Sequence, residues 1–526
     1  MSLPSRQRQG GCSRKRQGDL VECTVTDLSV RGEGVGRFGQ RVVFVPDTLP
    51  GDRVLVRLVR VKRQYAHGKL HQLLVPSGDR VRPSCIVADK CGGCQWQHID
   101  YSYQLQAKRN LVVQSLQRIG GISQAKVDPV LTADAPLKYR NKVTYPLGLS
   151  SIGQVQAGYY QKGSHKLVNL NQCPVQDSRL HPLLAEVKLD MQRLGWPVYS
   201  DFSVVSGSTH PVVSHPAHNI GGCSGNESPQ TVGRHRGQLR HLALRIGRRT
   251  GEILLTLVVI DGNLPGIKQQ AQEWLQRYPG LVGVCLNYNP DRTNVIFGKE
   301  TRCLAGQAFL REEFAGLQFQ LRPDTFFQVN TEAAEALLHI IVEELQLQGH
   351  ELLVDAYCGI GTFTLPDSRR VGQANVLRTR YANGLELQPE AIAQAEINVK
   401  LNQIENVQFQ VGKVEKLLPQ LEVMPDIVLL DPPRQGCERA ARALRDRAVL
   451  STLLEMKPQR LVYVSCKPST LARDLQVLCA DGGYQLSRVQ PADFFPQTSH
   501  VEGAAFLDLC NVGRAECAAR TLRGRL

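Results

Sequence analysis

No apolar run in this chain approaches the ~18 residues that a membrane-crossing helix needs. Ile253 to Ile260 is among the longest, with eight residues interrupted by Thr256. The first thirty residues start basic but lack an apolar core segment, which argues against a secretory signal. Internal repeats are absent too, so a solenoid is not expected. Acidic residues are in deficit: 48 Asp and Glu stand against 63 Lys and Arg, a formal charge of +15. These absences set the expectation of a cytoplasmic protein with no membrane partner and no obligate protein partner.

What is present is ordinary globular material. The 526 residues leave room for three or four domains and large cores, so nothing demands disulfide stapling. Hydrophobic residues are 42% and charged residues 21%, which excludes a mostly disordered chain. Fifteen cysteines without a secretion signal imply a reducing compartment. There thiols serve as buried hydrophobes, metal ligands or nucleophiles. The positive surplus points to a polyanion, most often nucleic acid. Residues 1–80 alone carry 15 basic and seven acidic side chains, more than half of the surplus.

The chain reads as a multi-domain α/β protein. Residues 1–17 are a basic, disordered arm. Residues 18–78 alternate short β-rich runs with glycines and predict an OB-like barrel, with strands at Leu20–Leu28, Gln40–Val45, Arg53–Arg63 and Gly68–Leu74. Gly32, Gly34, Gly36 and Gly39 are read as turns. Arg57, Arg60, Lys62, Arg63 and Lys69 lie on or beside the last strands, as a barrel tracking a phosphate backbone would place them. Residues 79–325 read as a central α+β domain. It holds a cysteine cluster, a helix at Tyr101–Ile119 with an apolar stripe of Leu105, Val112, Leu116 and Ile119, and a Gly/Ser/His/Pro-rich insertion near 204–235. From 326 to 526 strands and helices alternate, the signature of a doubly wound, Rossmann-like domain.

Five constellations carry chemistry. In Leu352-Leu-Val-Asp-Ala-Tyr-Cys-Gly-Ile-Gly361 a buried strand feeds a glycine turn that opens a helix. The spacing is not Gly-x-Gly-x-x-Gly, which disfavours a pyrophosphate-gripping NAD site. Glu386 ends the next predicted strand, where a carboxylate can accept both ribose hydroxyls; loop and acid together suggest S-adenosylmethionine. Asp431-Pro-Pro-Arg434 follows an apolar strand, and the prolines fix a rigid turn at its carboxyl end, where open α/β sheets bind ligands. Cys466 ends another apolar strand before a helix start; Lys467 and the helix N-terminus are expected to lower its pKa, making it a nucleophile candidate. Glu502, just before a last strand, would return to the same cleft as a base. Finally, Cys85-x5-Cys91-Gly-Gly-Cys94, with Cys173-Pro174 downstream, reads as a metal knuckle whose four thiolates fit zinc or a 4Fe–4S cluster.

Together these residues resemble the TrmA/RumA family of RNA uracil-5 methyltransferases over nearly the whole chain. The resemblance implies a TRAM barrel at 18–78 and a 4Fe–4S cluster on Cys85, Cys91, Cys94 and Cys173. It implies a catalytic domain entered at Asp324-Thr-Phe-Phe-Gln328-Val-Asn330. Gln328, Tyr357, Thr362, Glu386 and Asp431 would line the S-adenosylmethionine site, Cys466 would be the nucleophile and Glu502 the base. Barrel plus cysteine set make the chain more like the family's 23S ribosomal RNA enzymes than its tRNA enzymes. In the family's chemistry a thiolate adds to uracil C6 and C5 accepts the methyl group. The alternatives are a tRNA uracil-5 methyltransferase, an NAD-linked oxidoreductase, and a non-catalytic RNA-binding protein with a vestigial methyltransferase domain. The link after the cofactor loop, Pro366 to Arg380, is longer and more basic than the family's usual short connection.

Overall fold

The computed structural model describes residues 15–133, 135–199, 237–291, 295–369, 382–422, 424–437 and 449–510. The segment 204–235, residues 1–14 of the arm and residues 370–380 of the basic link lie outside them. The chain divides into two compact units, Met1–Tyr139 with Phe326–Leu526, and Arg140–Thr325. Residues 79–139, expected to open the central domain, fall in the first unit.

The first unit begins with a closed barrel. Strands β1 (Leu20–Leu28), β2 (Gly34–Phe38), β3 (Arg41–Val45), β4 (Arg53–Val61) and β5 (Tyr65–Val75) join in the order β1-β2-β3-β5-β4. Period-two alternation builds its core: Val21, Cys23 and Val25 point inward against Val43, Val45, Val54 and Val56. Gly34 and Gly36 are in strand β2, not in turns. A Cβ on Gly34 would fall 2.0 Å from Thr48 Oγ1, and one on Gly36 2.9 Å from the Thr24 carbonyl. Close approach, rather than a bend, is what glycine serves here.

After the barrel, Asp100 caps the helix Tyr101–Arg118 by accepting the Ser102 N–H at 2.9 Å. Its buried face contains Val112 and Leu116 as expected. It also contains Gln104 and Lys108, while Ile119 is exposed.

The second unit is a mixed sheet of β6 (Lys142–Leu149), β7 (Val155–Tyr160), β8 (Leu167–Asn169), β9 (Leu239–Ile246), β10 (Ile253–Val259), β11 (Leu281–Tyr288) and β12 (Glu300–Gly306). The order is β12-β11-β10-β9-β6-β7-β8. Every residue of central β10 is buried, which its continuous apolar run demands. Helices His181–Arg193 and Ile267–Arg277 and a hairpin of β13 (Leu310–Phe314) and β14 (Leu317–Leu321) complete it.

The chain then returns to the first unit and forms β15 (Leu353–Ala356), β16 (Ala382–Glu386), β17 (Val407–Val411), β18 (Ile427–Leu430), β19 (Arg460–Ser465), β20 (Tyr484–Ala492) and β21 (Glu502–Leu509). Their order is β17-β16-β15-β18-β19-β21-β20. The first five run parallel, and β21 is antiparallel to both its neighbours. Strand order reverses beside β15, so ligand is expected outside the carboxyl ends of β15, β16 and β18.

Candidate active site

Tyr357, Glu386, Asp431 and Cys466 sit at or just beyond carboxyl ends of this sheet's strands, and Glu502 at the start of β21. β15 ends at Ala356, and Tyr357 follows with φ 72°, its N–H bonded to the Leu385 carbonyl at 2.8 Å. A left-handed tyrosine is strained, and such strain is kept where the surroundings over-determine it. Gly359 and Gly361 also have positive φ, 57° and 84°, so the loop needs glycine at both. Thr362 is buried behind them. β16 ends at Glu386, which accepts N–H bonds from Gly359 at 3.2 Å and from Leu387 and Gln388 at 2.8 and 3.0 Å. Those bonds tie the acid to the glycine loop. Gln328 is buried two residues before Asn330, whose side chain caps helix Thr331–Leu345.

Beside Glu386 stands a carboxylate that the sequence reading had not singled out. Asp355, in β15, accepts from Thr364 Oγ1 at 2.5 Å, yet its other oxygen is buried without a hydrogen-bond partner. Burial first, then the negative Asp431 and Glu386, push its pKa up to about 7. An orphaned oxygen at the mouth of a glycine loop fits a ligand with donors or positive charge. That chemistry suits S-adenosylmethionine.

The two reacting motifs meet by strand register. β19 pairs with β21 antiparallel, with Ser465 opposite Gly503. Cys466 follows Ser465 and Glu502 precedes Gly503, and the two are near enough for the Glu502 carboxyl to act on the Cys466 thiol. Asp431, after β18, and Arg434, in the same Pro-Pro turn, complete the group. Burial, then Asp431, raises the Glu502 carboxyl to about 8, with Arg434 opposing. Burial raises Asp431 to about 7. The Arg434 guanidinium favours the Cys466 thiolate, making it a second site residue that its motif contained but to which no role had been given.

The expectation that Cys466 has a lowered pKa is corrected. Burial, then the carboxyls of Glu502 and Asp431, push it up to about 11 despite Arg434. Lys467 is exposed, where water screens its charge, and cannot offset them. At neutral pH the unliganded site therefore holds a thiol.

Asp474 holds this arrangement from below. It accepts from Tyr463 OH at 2.6 Å and from the Cys437 N–H at 2.9 Å. A Cβ on Gly436 would fall 2.4 Å from its carboxylate, so glycine lets the turn carrying Arg434 close onto it.

Glu502 also sets a pH dependence. Its folded pKa lies above the ordinary 4.5, so its stability contribution is complete below pH 4.5 and lost as pH rises through about 8. Glu502→Gln removes that loss. Thermal melts at pH 9 should show the variant more stable than the parent by on the order of 3 kcal/mol, and the two alike at pH 4. A pH-independent difference would contradict the assignment of a buried, proton-holding carboxyl.

The structure does not show the expected metal site. Among the described residues no group of three or more His, Cys, Asp or Glu is arranged to hold a metal ion. Cys91 and Cys173 are buried, and Cys85 and Cys94 are partly exposed. The Cys91 sulfur accepts the Gly93 N–H at 3.4 Å.

Comparison with known proteins agrees with this geometry. Residues 298–509 match the family described as tRNA (Uracil-5-)-methyltransferase, and residues 14–71 match the TRAM domain. An RNA methyltransferase of Nostoc, itself described as uncharacterized, is 64% identical over 95% of this chain and 98% of its own length. A Synechocystis protein of the same description is 51% identical over 94% of this chain and 97% of its own. Among solved structures, the Pyrococcus abyssi tRNA (uracil-54, C5)-methyltransferase in complex with S-adenosyl-L-homocysteine is 26% identical, with a TM-score of 0.67 over 92% of this chain and 99% of its own. With a TRAM barrel, a methyltransferase sheet and full-length relatives of this kind, the chain belongs to the TrmA/RumA family of RNA uracil-5 methyltransferases.

Proposed function

We propose that the protein methylates C5 of a specific uridine in 23S ribosomal RNA, using S-adenosylmethionine, to give 5-methyluridine. The observation that supports the chemistry is the β19–β21 pairing next to which Cys466 and Glu502 lie, with Asp431 and Arg434 acting electrostatically on both. S-adenosylmethionine, when bound, supplies an electrophilic sulfonium methyl; Gln328, Tyr357, Thr362, Glu386 and Asp431 would hold it. Uracil C5 is a poor nucleophile by itself. Cys466 first gives its thiol proton to solvent, and the thiolate then adds to C6, forming an S–C6 bond, opening the C5–C6 double bond and leaving C5 electron-rich. C5 then takes the methyl. Glu502 removes the C5 proton, the C5–C6 double bond re-forms, and Cys466 leaves as thiolate. Arg434 favours that thiolate at both ends of the cycle. A target base inside folded RNA must be flipped out to reach Cys466.

The barrel supplies a reading of how RNA is held. Arg57, Arg60, Lys62, Arg63 and Lys69 are all exposed, and Arg57 faces Lys69 across β4 and β5. Beside them, Phe44, Tyr65 and His67 form a ring cluster with centroids 5.4 to 6.3 Å apart. Cations beside rings suit single-stranded RNA.

The 23S assignment rests on the barrel together with the cysteine set. A second reading, tRNA, is favoured by the Pyrococcus neighbour, a tRNA (uracil-54, C5)-methyltransferase whose likeness runs over 92% of this chain. Unmodified 23S ribosomal RNA and unmodified tRNA offered together, with methyl-labelled S-adenosylmethionine, separate them. Label is expected in ribosomal RNA; label in tRNA alone would move the assignment.

A 4Fe–4S cluster on Cys85, Cys91, Cys94 and Cys173 belongs to this reading through the resemblance to the family, since the spacing alone fits zinc as well. Anaerobically purified protein should then be brown and contain iron. Colourless protein without iron would remove the cluster from the account.

A further inference from the structure

The connector between β20 and β21, residues 493–501, delivers Glu502 to the site, yet it pairs with no strand. It is nonetheless buried: Asp493, Phe494, Gln497, Thr498 and Ser499 are all inside. Gln497 has φ 70°, a strained conformation for a residue with a side chain. Something outside the connector must hold it.

The helix Tyr101–Arg118 does. Lys108 and Asp493 are both fully buried, and Lys108 Nζ donates to Asp493 Oδ1 at 2.5 Å and to the Phe495 carbonyl at 3.1 Å. Tyr101 OH donates to the other Asp493 oxygen at 3.2 Å. One turn earlier than Lys108, Gln104 reads both ends of the strained residue. Its amide donates to Gln497 Oε1 at 3.2 Å and its oxygen accepts the Gln497 N–H at 3.1 Å. The Gln497 carbonyl in turn accepts from the Gln95 and Trp96 N–H groups, at 3.1 and 3.0 Å, immediately after the cysteine segment. A lysine and a glutamine on the buried face of this helix are costly, and burying a charge demands a fixed partner. Their partners on the connector lie within nine residues of Glu502, and the Gln104 amide also donates to the Trp96 and Ile99 carbonyls at 3.1 and 2.9 Å.

We propose that Lys108 and Gln104 are positioning residues for proton removal, clamping the 493–501 connector so that Glu502 stays set against Cys466. This rests on the reading of Glu502 as the C5 base. Neither residue touches the reacting atoms. Their effect falls on the step that Glu502 performs, and not on cofactor binding or on attack by Cys466.

The test uses the full-length protein and RNA tritiated at C5 of uridine, comparing methyl transfer with tritium release. Lys108→Met and Gln104→Leu should leave methyl transfer into the covalent adduct within about twofold. Tritium release should slow roughly 100-fold, because a small displacement of a catalytic group costs that much. The methylated adduct should accumulate, and KM for RNA should stay unchanged. Gln497→Gly is the control against misfolding, since glycine adopts φ 70° without strain and loses only the side-chain bond to Gln104. It should show the same partition, more weakly. Folded variants that release tritium at the parent rate would overturn the proposal. So would variants in which cofactor affinity, methyl transfer and tritium release fall together. Glu502→Gln run alongside separates the two claims. If it releases tritium normally, the base reading fails; if it traps adduct while Lys108→Met and Gln497→Gly do not, only the positioning role fails.

Discussion

Cys466→Ala should abolish methyl transfer, by roughly 10⁴-fold or more in a single-turnover assay, while RNA affinity stays within about twofold. The nucleophile makes the bond that activates C5, and no other cysteine can substitute. Cys437 and Cys358 are in the same domain, but both are buried and burial pushes both thiols up, Cys437 to about 12. RNA affinity comes mainly from phosphate contacts, and Cys466 makes none. Filter binding at fixed salt, beside the transfer assay, reads both quantities. Full turnover by the variant would remove Cys466 from the mechanism. Because the resting thiol has a pKa of about 11, the parent rate should also climb as pH is raised above neutrality.

Glu502→Gln should give the opposite phenotype. Methyl transfer proceeds, but the C5 proton has nowhere to go, so elimination stalls. The methylated RNA should remain attached to Cys466 and migrate with the protein on a denaturing gel. Free product should form roughly 10³-fold more slowly, the scale of a lost general base. The raised pKa of Glu502, about 8, makes it a stronger base than an ordinary carboxylate once ionised. Glutamine keeps the shape and the neighbours but cannot accept the proton. Rapid release of methylated RNA by this variant would assign the base elsewhere, with Asp431 the nearest candidate.

Much of this site was legible in the sequence because its residues lie at strand ends. A buried apolar strand followed by Gly-x-Gly, by Pro-Pro-Arg or by Cys-Lys-Pro announces a carboxyl-end turn, and the doubly wound topology gathers such turns. That placed Glu386, Asp431, Cys466 and Glu502 beforehand. What the sequence hid depends on three-dimensional neighbours. Asp355 lies inside an apolar strand and gave no signal of its role; its oxygen is orphaned by burial, and that burial first, then Asp431 and Glu386, raises its pKa. The lowered pKa expected for Cys466 failed for the same reason. Helix start and lysine are local, while the carboxyls that outweigh them come from β18 and β21. In the barrel, glycines that resemble turn signals proved to be contact points within β2. On helix Tyr101–Arg118 the apolar period was read correctly at Val112 and Leu116. The buried polar pair Gln104 and Lys108 was missed because its partners are nearly four hundred residues away in sequence.

The most direct test of the central claim is the chemical identity of the product. The full-length protein, given S-adenosylmethionine and unmodified ribosomal RNA and tRNA, should produce one new modified nucleoside on complete digestion and mass spectrometry: 5-methyluridine. Its formation should require Cys466. A methyl group on any other nucleoside, or none despite saturable S-adenosylmethionine binding, would contradict the account.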